Sequence, residues 1–124
     1  TIDRAEQYRI KGGKMPADLQ WLGGTYNEKT QTWKDASAVY WVNESSAPVC
    51  FINSSVPRFH NGRNEHRRLL KSYGIYSEIY SFENTPHTFW LFYPWHGLTV
   101  DYTVWFLQRI FDTKKENLSE PDRL

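Results

Sequence analysis

Two strand-like segments on either side of a helical pattern constrain the fold of this chain more than any other feature. The run Pro48–Ile52 is short and continuously apolar, which is typical of a strand buried on both faces of a parallel sheet. The segment Ile75–Phe82 is rich in aromatic and β-branched residues and is interpreted as a second strand. The sequence therefore predicts a strand–helix–strand unit with parallel strands and a right-handed crossover.

The helix of this unit is predicted between about Gly62 and Tyr73. Its inward-facing side chains recur at helical spacing: His66, Leu69, Leu70 and Tyr73. Asn61 is a candidate cap at its start, and Gly74 can close its end in the left-handed conformation. These signals predict a helix that begins and ends between the two strands.

A loop and a closing helix follow the second strand. The loop is predicted over Glu83–Leu98, with Thr99 capping the helix and Asp101 in its first turn. One apolar stripe is expected along the helix: Val100, Val104, Leu107, Ile110 and Phe111. Before the first strand, two short helices are predicted over Pro16–Leu22 and Lys29–Tyr40.

A pair of parallel strands is marginal alone, because its faces and edges need cover. We therefore predict an α/β chain with parallel strands covered by helices, which forms the end of a larger open sheet. Residues 1–47 form its helical and loop segment, 48–111 its β-α-β-α unit and 112–124 a polar tail. The uncovered apolar surface predicts a homodimer or swapped assembly that completes the sheet between chains.

Composition excludes several classes of protein. The 124 residues carry 15 basic and 14 acidic side chains, and this balance argues against a nucleic-acid module built on the arginines around residues 58–68. The single cysteine excludes an internal disulfide, and the four histidines lack the neighbouring ligands of a metal site. No apolar run approaches the roughly 20 residues of a membrane span. Residues 1–6 are too polar for a secretion signal.

Candidate chemistry lies in the loops that follow the strands, because the carboxyl ends of parallel strands meet at one edge of a sheet. The loops are 53–65 and 83–90, and we expect them to be neighbours. His87, between Pro86 and an aromatic run, is suited to general-base catalysis. A loop histidine that bonds a carbonyl is the commoner alternative, and the residues alone leave both open.

Two further groups have a binding interpretation and a structural one. Arg58 and Arg63 flank the first strand end and can clamp a carboxylate or phosphate, or they can simply be solvated. Trp90 and Trp95 have flat faces that suit sugar rings or acyl groups, and packing between the last helix and the sheet is the alternative.

Three segments together resemble the C-terminal third of an α/β-hydrolase, in particular acetylxylan esterase-like and pectin esterase-like carbohydrate esterases. The segments are Pro48–Arg63, with PRFH and GR, Tyr73–Glu78, and Pro86–Phe92, with PHTFW. Upstream, Trp21–Tyr26 is similar to the segment before the acid-bearing strand of those enzymes. The resemblance extends over nearly the whole chain up to about Phe111.

The resemblance implies a catalytic role for His87, which would take the proton of a serine nucleophile. The chain has no G-x-S-x-G, so the serine is expected before Thr1 and these residues alone should be inactive. The family often has an Asp after the Gly-Arg pair, where this chain has Asn64. Glu65, the carboxylate of that loop, is the candidate acid, and an acid further upstream or a lost acid are the alternatives.

The expected function is therefore deacylation of a plant polysaccharide, of the xylan or pectin type, without a cofactor or metal. Arg58, His60, Arg63, Trp90 and Trp95 are the expected substrate-binding residues. The compartment is left open, and the parent enzyme can be secreted or periplasmic. The competing hypothesis is a non-catalytic carbohydrate-binding or interaction module that uses exposed tryptophan, and near-complete burial of Trp90 and Trp95 would exclude it.

Overall fold

The two predicted strands pair side by side in the computed structural model of the chain, which describes residues 15–111. Strand β1 spans Val49–Asn53 and strand β2 spans Ser77–Ser81. The strands are parallel, with Val49 opposite Ser77 and Asn53 opposite Ser81. The chain is thus mixed α/β, with a two-stranded parallel sheet and helices, as the pattern predicted. The strands are half-buried rather than enclosed on both faces.

Four α-helices accompany the strands in the described part of the chain. They are α1 (Ala17–Leu22), α2 (Thr30–Asp35), α3 (Arg63–Ser72) and α4 (Trp95–Phe111). Three short 3-10 turns lie at Ala38–Trp41, Pro57–His60 and Phe89–Leu91. The helix predicted over Lys29–Tyr40 is therefore two pieces. Two segments of the sequence analysis lie outside the described residues. They are the predicted polar tail, 112–124, and residues 1–6, which we judged too polar for a secretion signal.

The chain divides into two units. The first contains the described residues up to Ser46 together with Asn61–Gly74, and the second contains Ala47–His60 together with the described residues from Ile75 onwards. In the first unit, Leu19 and Trp33 are buried, and Leu22 and Tyr26 pack against them. The indole nitrogen of Trp33 donates a hydrogen bond to the Gly24 carbonyl at 3.0 Å, which ties α2 to the loop after α1.

Glycines set the boundaries of α3, and they correct one predicted cap. Gly62, with φ 79°, stands at the cap position, and no side chain caps the first turn. The prediction that Asn61 caps this helix was wrong, because the cap position is one residue later. The backbone there is left-handed, which favours glycine. Gly74, with φ 70°, lies just beyond the end of the helix as predicted.

The start of α4 differs from the prediction. The helix begins at Trp95, directly after Pro94, so Thr99 and Asp101 do not form its first turn. The Thr99 hydroxyl instead donates to the Trp95 carbonyl at 2.8 Å, a bond typical of a helix interior. The prediction failed because it placed Gly97 in the preceding loop. A helix can accommodate a single glycine at a cost of about 1 kcal/mol.

The face of α4 that packs on the sheet is aromatic. The rings of Tyr102 and Tyr80 stack with centroids 4.1 Å apart, and Phe106 stacks on Tyr76 at 6.5 Å. Phe82 packs between Phe89 and Tyr102, at 5.1 and 5.4 Å. The core of the second unit is therefore centred on the buried rings of Phe82 and Phe89, with the stacked Tyr80 and Tyr102 beside them.

The predicted apolar stripe of α4 lies mostly on the solvent side instead. Four of its members are exposed: Val100 (47%), Val104 (42%), Leu107 (44%) and Phe111 (80%). With Gly97 they form a 3-4-3-4 spacing, which is the narrow seam of a helix that packs on another helix. Hydropathy alone could not distinguish this seam from the aromatic face that the sheet covers.

The seam predicts that the protein self-associates. Two copies packed antiparallel would place Gly97 opposite Phe111 and Val104 near its own copy, so that small and large side chains alternate. Light scattering should show a mass that rises with concentration. Val104→Lys should return the protein to a monomer, whereas Gln108→Lys, an equal change of charge on an exposed neighbour, should not. A strictly monomeric protein at high concentration would contradict this prediction.

Candidate functional site

The loops that follow β1 and β2 are joined by hydrogen bonds, as predicted. The Ser55 amide donates to the Thr85 hydroxyl at 2.9 Å, and the Thr85 amide donates to the Ser55 hydroxyl at 3.0 Å. The Phe82 amide also donates to the Asn53 carbonyl at 3.0 Å, which extends the strand pairing by one residue. Thr85 is 5% exposed. This reciprocal pair, with Thr85 buried and Ser55 exposed, holds the two loops together at the carboxyl edge of the sheet.

The His87 side chain is exposed at this carboxyl edge of the sheet, and aromatic contacts hold its ring. Its imidazole stacks on Phe59 with centroids 3.4 Å apart and planes 9° apart. The Trp90 ring meets it edge-on at 5.5 Å. Within residues 15–111, neither ring nitrogen of His87 takes part in a hydrogen bond. The ring is thus oriented by packing, and no carbonyl of the described residues bonds either nitrogen, contrary to the alternative of a carbonyl-bonded loop histidine.

Arg58 completes what we call the His87 cluster, formed by Arg58, Phe59, His87 and Trp90. The guanidinium carbon Cζ of Arg58 lies 4.7 Å from the centroid of the Phe59 ring, within the range of a cation–π contact. Arg58 and Phe59 come from the 3-10 turn after β1, and His87 and Trp90 come from the loop after β2. The cluster therefore unites residues of both predicted loops.

Of the two tryptophans expected to bind substrate, Trp90 belongs to the cluster. Its ring is 40% exposed and rests edge-on against buried Phe89, with centroids 5.2 Å apart. Trp95 is half-buried at the first position of α4 and makes no ring contact with the cluster. Because neither ring is nearly buried, the condition that would exclude a binding module is not met.

The His60 side chain forms a hydrogen bond within its own loop. Its Nε2 atom donates to the Ser54 carbonyl at 2.8 Å, and Ser54 is 3% exposed. The bond closes the 3-10 turn back onto the end of β1 and so supports the adjacent Phe59. His60 is thus placed to position the cluster, with Nδ1 as the ring nitrogen left for a ligand.

The remaining predicted site residues, Arg63, Asn64 and Glu65, belong to the first unit. The Nε atom of Arg63 donates to Oδ1 of Asn64 at 3.0 Å. The carboxylate of Glu65 forms a two-point ion pair with Arg68 of the same helix, at 2.6 and 3.1 Å. These hydrogen bonds from Arg68 hold the pKa of Glu65 below its usual value. In the second unit, no described carboxylate hydrogen-bonds to His87.

A second polar cluster, which the sequence interpretation missed, lies between β2 and α4. Arg109 donates from Nη1 to the Glu78 carboxylate at 2.6 Å and to the Tyr76 hydroxyl at 2.9 Å, and Tyr76 donates to Glu78 at 2.8 Å. The other Glu78 oxygen, Oε1, is buried and has no hydrogen-bond partner in the described structure. The signal available in the sequence was a charged residue between two tyrosines at strand alternation, Tyr76, Glu78 and Tyr80.

Cys50 lies opposite Glu78 in the sheet register and is expected to be an inert thiol. Burial and the neighbouring Glu78 carboxylate raise the pKa of Cys50 to about 11. Since the thiolate is the reactive form, alkylation at pH 8 should run about 100-fold slower than for a free cysteine peptide. The rate should keep rising above pH 9 instead of levelling there. Glu78→Gln should accelerate the reaction, and a rate equal to that of the peptide would contradict the assignment.

Among residues 15–111, no three His, Cys, Asp or Glu side chains come together as a group that could hold a metal ion. None of the helices in that range combines the length and apolarity needed to cross a membrane.

Comparisons of the chain with protein-family models, with curated proteins and with solved structures found no match. The interpretation of the site therefore depends on the geometry of the His87 cluster.

Proposed function

We propose that this chain supplies the catalytic histidine and part of the substrate-binding wall of a serine esterase that removes acyl groups from polysaccharide, within an α/β-hydrolase fold. The observation that carries the proposal is the state of His87. It follows β2, lies exposed at the carboxyl edge of the parallel sheet, and has an oriented ring whose nitrogens form no hydrogen bond with residues 15–111. Such a histidine is suited to exchange protons with groups outside the described residues.

Ester hydrolysis by a serine esterase requires each of the two nitrogens of the His87 ring to have its own role. One nitrogen takes the proton of the serine hydroxyl as it attacks the ester carbonyl and then gives that proton to the departing sugar alcohol. The other nitrogen donates to an acid that holds the ring orientation. Stacking on Phe59 limits rotation of the ring without occupying either nitrogen, which is compatible with both roles.

The nucleophile and the acid are the parts that this proposal places outside the cluster. The 124 residues contain no G-x-S-x-G, so the serine would come from another segment. Glu65 is engaged by Arg68, and Asn64 accepts from Arg63. These pairings favour a carboxylate from elsewhere over Glu65 as the acid, because the Arg68 pair would have to break first.

A fluorophosphonate probe, which labels activated serines, tests the proposal. The polypeptide translated from the complete reading frame that contains these residues should be labelled, and His87→Ala should abolish the labelling. The 124 residues alone should neither be labelled nor hydrolyse p-nitrophenyl acetate. His87-dependent turnover by these residues alone, or unchanged labelling of the His87→Ala polypeptide, would refute the proposal.

A non-catalytic carbohydrate-binding module is the second candidate, and the exposed Trp90 ring is the observation that favours it. An exposed indole can stack on the face of a sugar. This candidate predicts binding to xylan or pectin that survives His87→Ala but fails in Trp90→Ala. Trp21, which is 89% exposed in the first unit, provides the matched control, because Trp21→Ala should leave binding unchanged.

A further inference from the structure

We infer that Arg58 binds a carboxylate of the substrate, so that the chain recognises an acidic polysaccharide built on uronic acid residues in preference to a neutral one. The inference deepens the proposed function and depends on it. It concerns the choice between the two polysaccharide types that the resemblance leaves open.

The Arg58 guanidinium is not used inside the described structure. Three other arginines donate hydrogen bonds: Arg63 to Asn64, Arg68 to Glu65, and Arg109 to Glu78. Arg58 is exposed, and its guanidinium forms neither an ion pair nor a hydrogen bond with residues 15–111. It thus retains its full set of N–H donors for an external anion.

The Arg58 side chain is held in position by an aromatic ring and is not merely solvated. Its guanidinium lies over the Phe59 ring in a cation–π contact. Phe59 is in turn stacked against His87. Part of the side-chain entropy that binding would cost is therefore already lost in the free protein. A planar guanidinium held in this way suits a carboxylate, which it can bind with two parallel hydrogen bonds.

The Arg58 guanidinium also lies at a suitable distance from His87, the proposed reacting group. The two ring contacts, 4.7 Å and 3.4 Å, place the guanidinium carbon within about 8 Å of the His87 ring centroid. That span corresponds to one or two pyranose units. A sugar whose ester reacts at His87 can therefore present its own or a neighbouring carboxylate to Arg58, while Trp90 offers a face to the ring.

Equilibrium binding provides the test, with acetylated oligogalacturonate and acetylated xylo-oligosaccharide of equal length as probes. The protein should bind the acidic probe more tightly, and Arg58→Gln should weaken that binding by about 10- to 100-fold, the range for a charged hydrogen-bonded contact. Binding of the neutral probe should not change. Arg58→Lys should recover only part of the affinity, because lysine cannot form the two-point contact.

Arg68→Gln is the matched control, since it removes the same charge from an exposed arginine outside the cluster. Equal losses of acidic-probe affinity in Arg58→Gln and Arg68→Gln would reveal general electrostatic attraction and overturn the inference. Equal affinity of the unmodified protein for the two probes would overturn it too. These binding results do not depend on hydrolysis, so failure of the fluorophosphonate experiment would refute the esterase proposal separately from the carboxylate preference.

Discussion

Replacing His87 with alanine is expected to lower the kcat of ester hydrolysis by at least about 1,000-fold in the polypeptide of the complete reading frame, with KM little changed. The reason is that the general base proposed here would move protons in the transition state and contribute little to binding of the ground state. Steady-state kinetics on p-nitrophenyl acetate and on an acetylated polysaccharide would measure both parameters.

Two variants separate the catalytic role of His87 from a structural one. Phe59→Leu keeps both imidazole nitrogens but removes the ring stacked at 3.4 Å, so we expect a loss of about 10-fold from poorer orientation. His60→Gln retains a donor for the Ser54 carbonyl and should have a smaller effect. If His87→Ala were no more damaging than Phe59→Leu, the proton-transfer role would be contradicted.

Much of the framework of the second unit could be predicted from local sequence signals. Aromatic and β-branched density placed β2, and the apolar run after Pro48 placed β1. The parallel pairing followed because a helix of suitable length lies between them in the chain. The juxtaposition of the two following loops then followed from topology alone, and with it the position of His87 at the sheet edge.

The contacts that define the site could not be predicted, because they arise between residues that are distant in the sequence. Nothing in the pattern around Phe59 indicates that it stacks on His87 and carries Arg58. The orientation of α4 was missed for a related reason. Its aliphatic stripe and its aromatic face are both apolar, and only packing against Tyr76 and Tyr80 determines which one the sheet covers.

Removing one partner of the ion pair between Glu78 and Arg109 is expected to destabilise the second unit substantially. The Glu78 side chain is 12% exposed and the Arg109 side chain 39%, so water screens this pair less than a surface pair. Breaking a buried pair by removing one partner typically costs about 3–5 kcal/mol, and the half-exposed arginine reduces this to about 2–4 kcal/mol here. Urea unfolding followed by tryptophan fluorescence would measure the change in the free energy of unfolding.

Replacing Arg109 and replacing Glu78 should not lower the free energy of unfolding by the same amount. Arg109→Met leaves the Glu78 carboxylate buried without its arginine, and the Oε1 atom of that carboxylate already has no hydrogen-bond partner in the described structure. This variant should therefore give the larger loss in the free energy of unfolding. Glu78→Gln removes the buried charge and leaves Arg109 with partial access to water, so about half that loss is expected. The double variant should be more stable than Arg109→Met alone, because it no longer buries an unpaired carboxylate. Additive losses in the double variant would mean that the two side chains do not interact energetically, despite the 2.6 Å contact between Nη1 and Oε2.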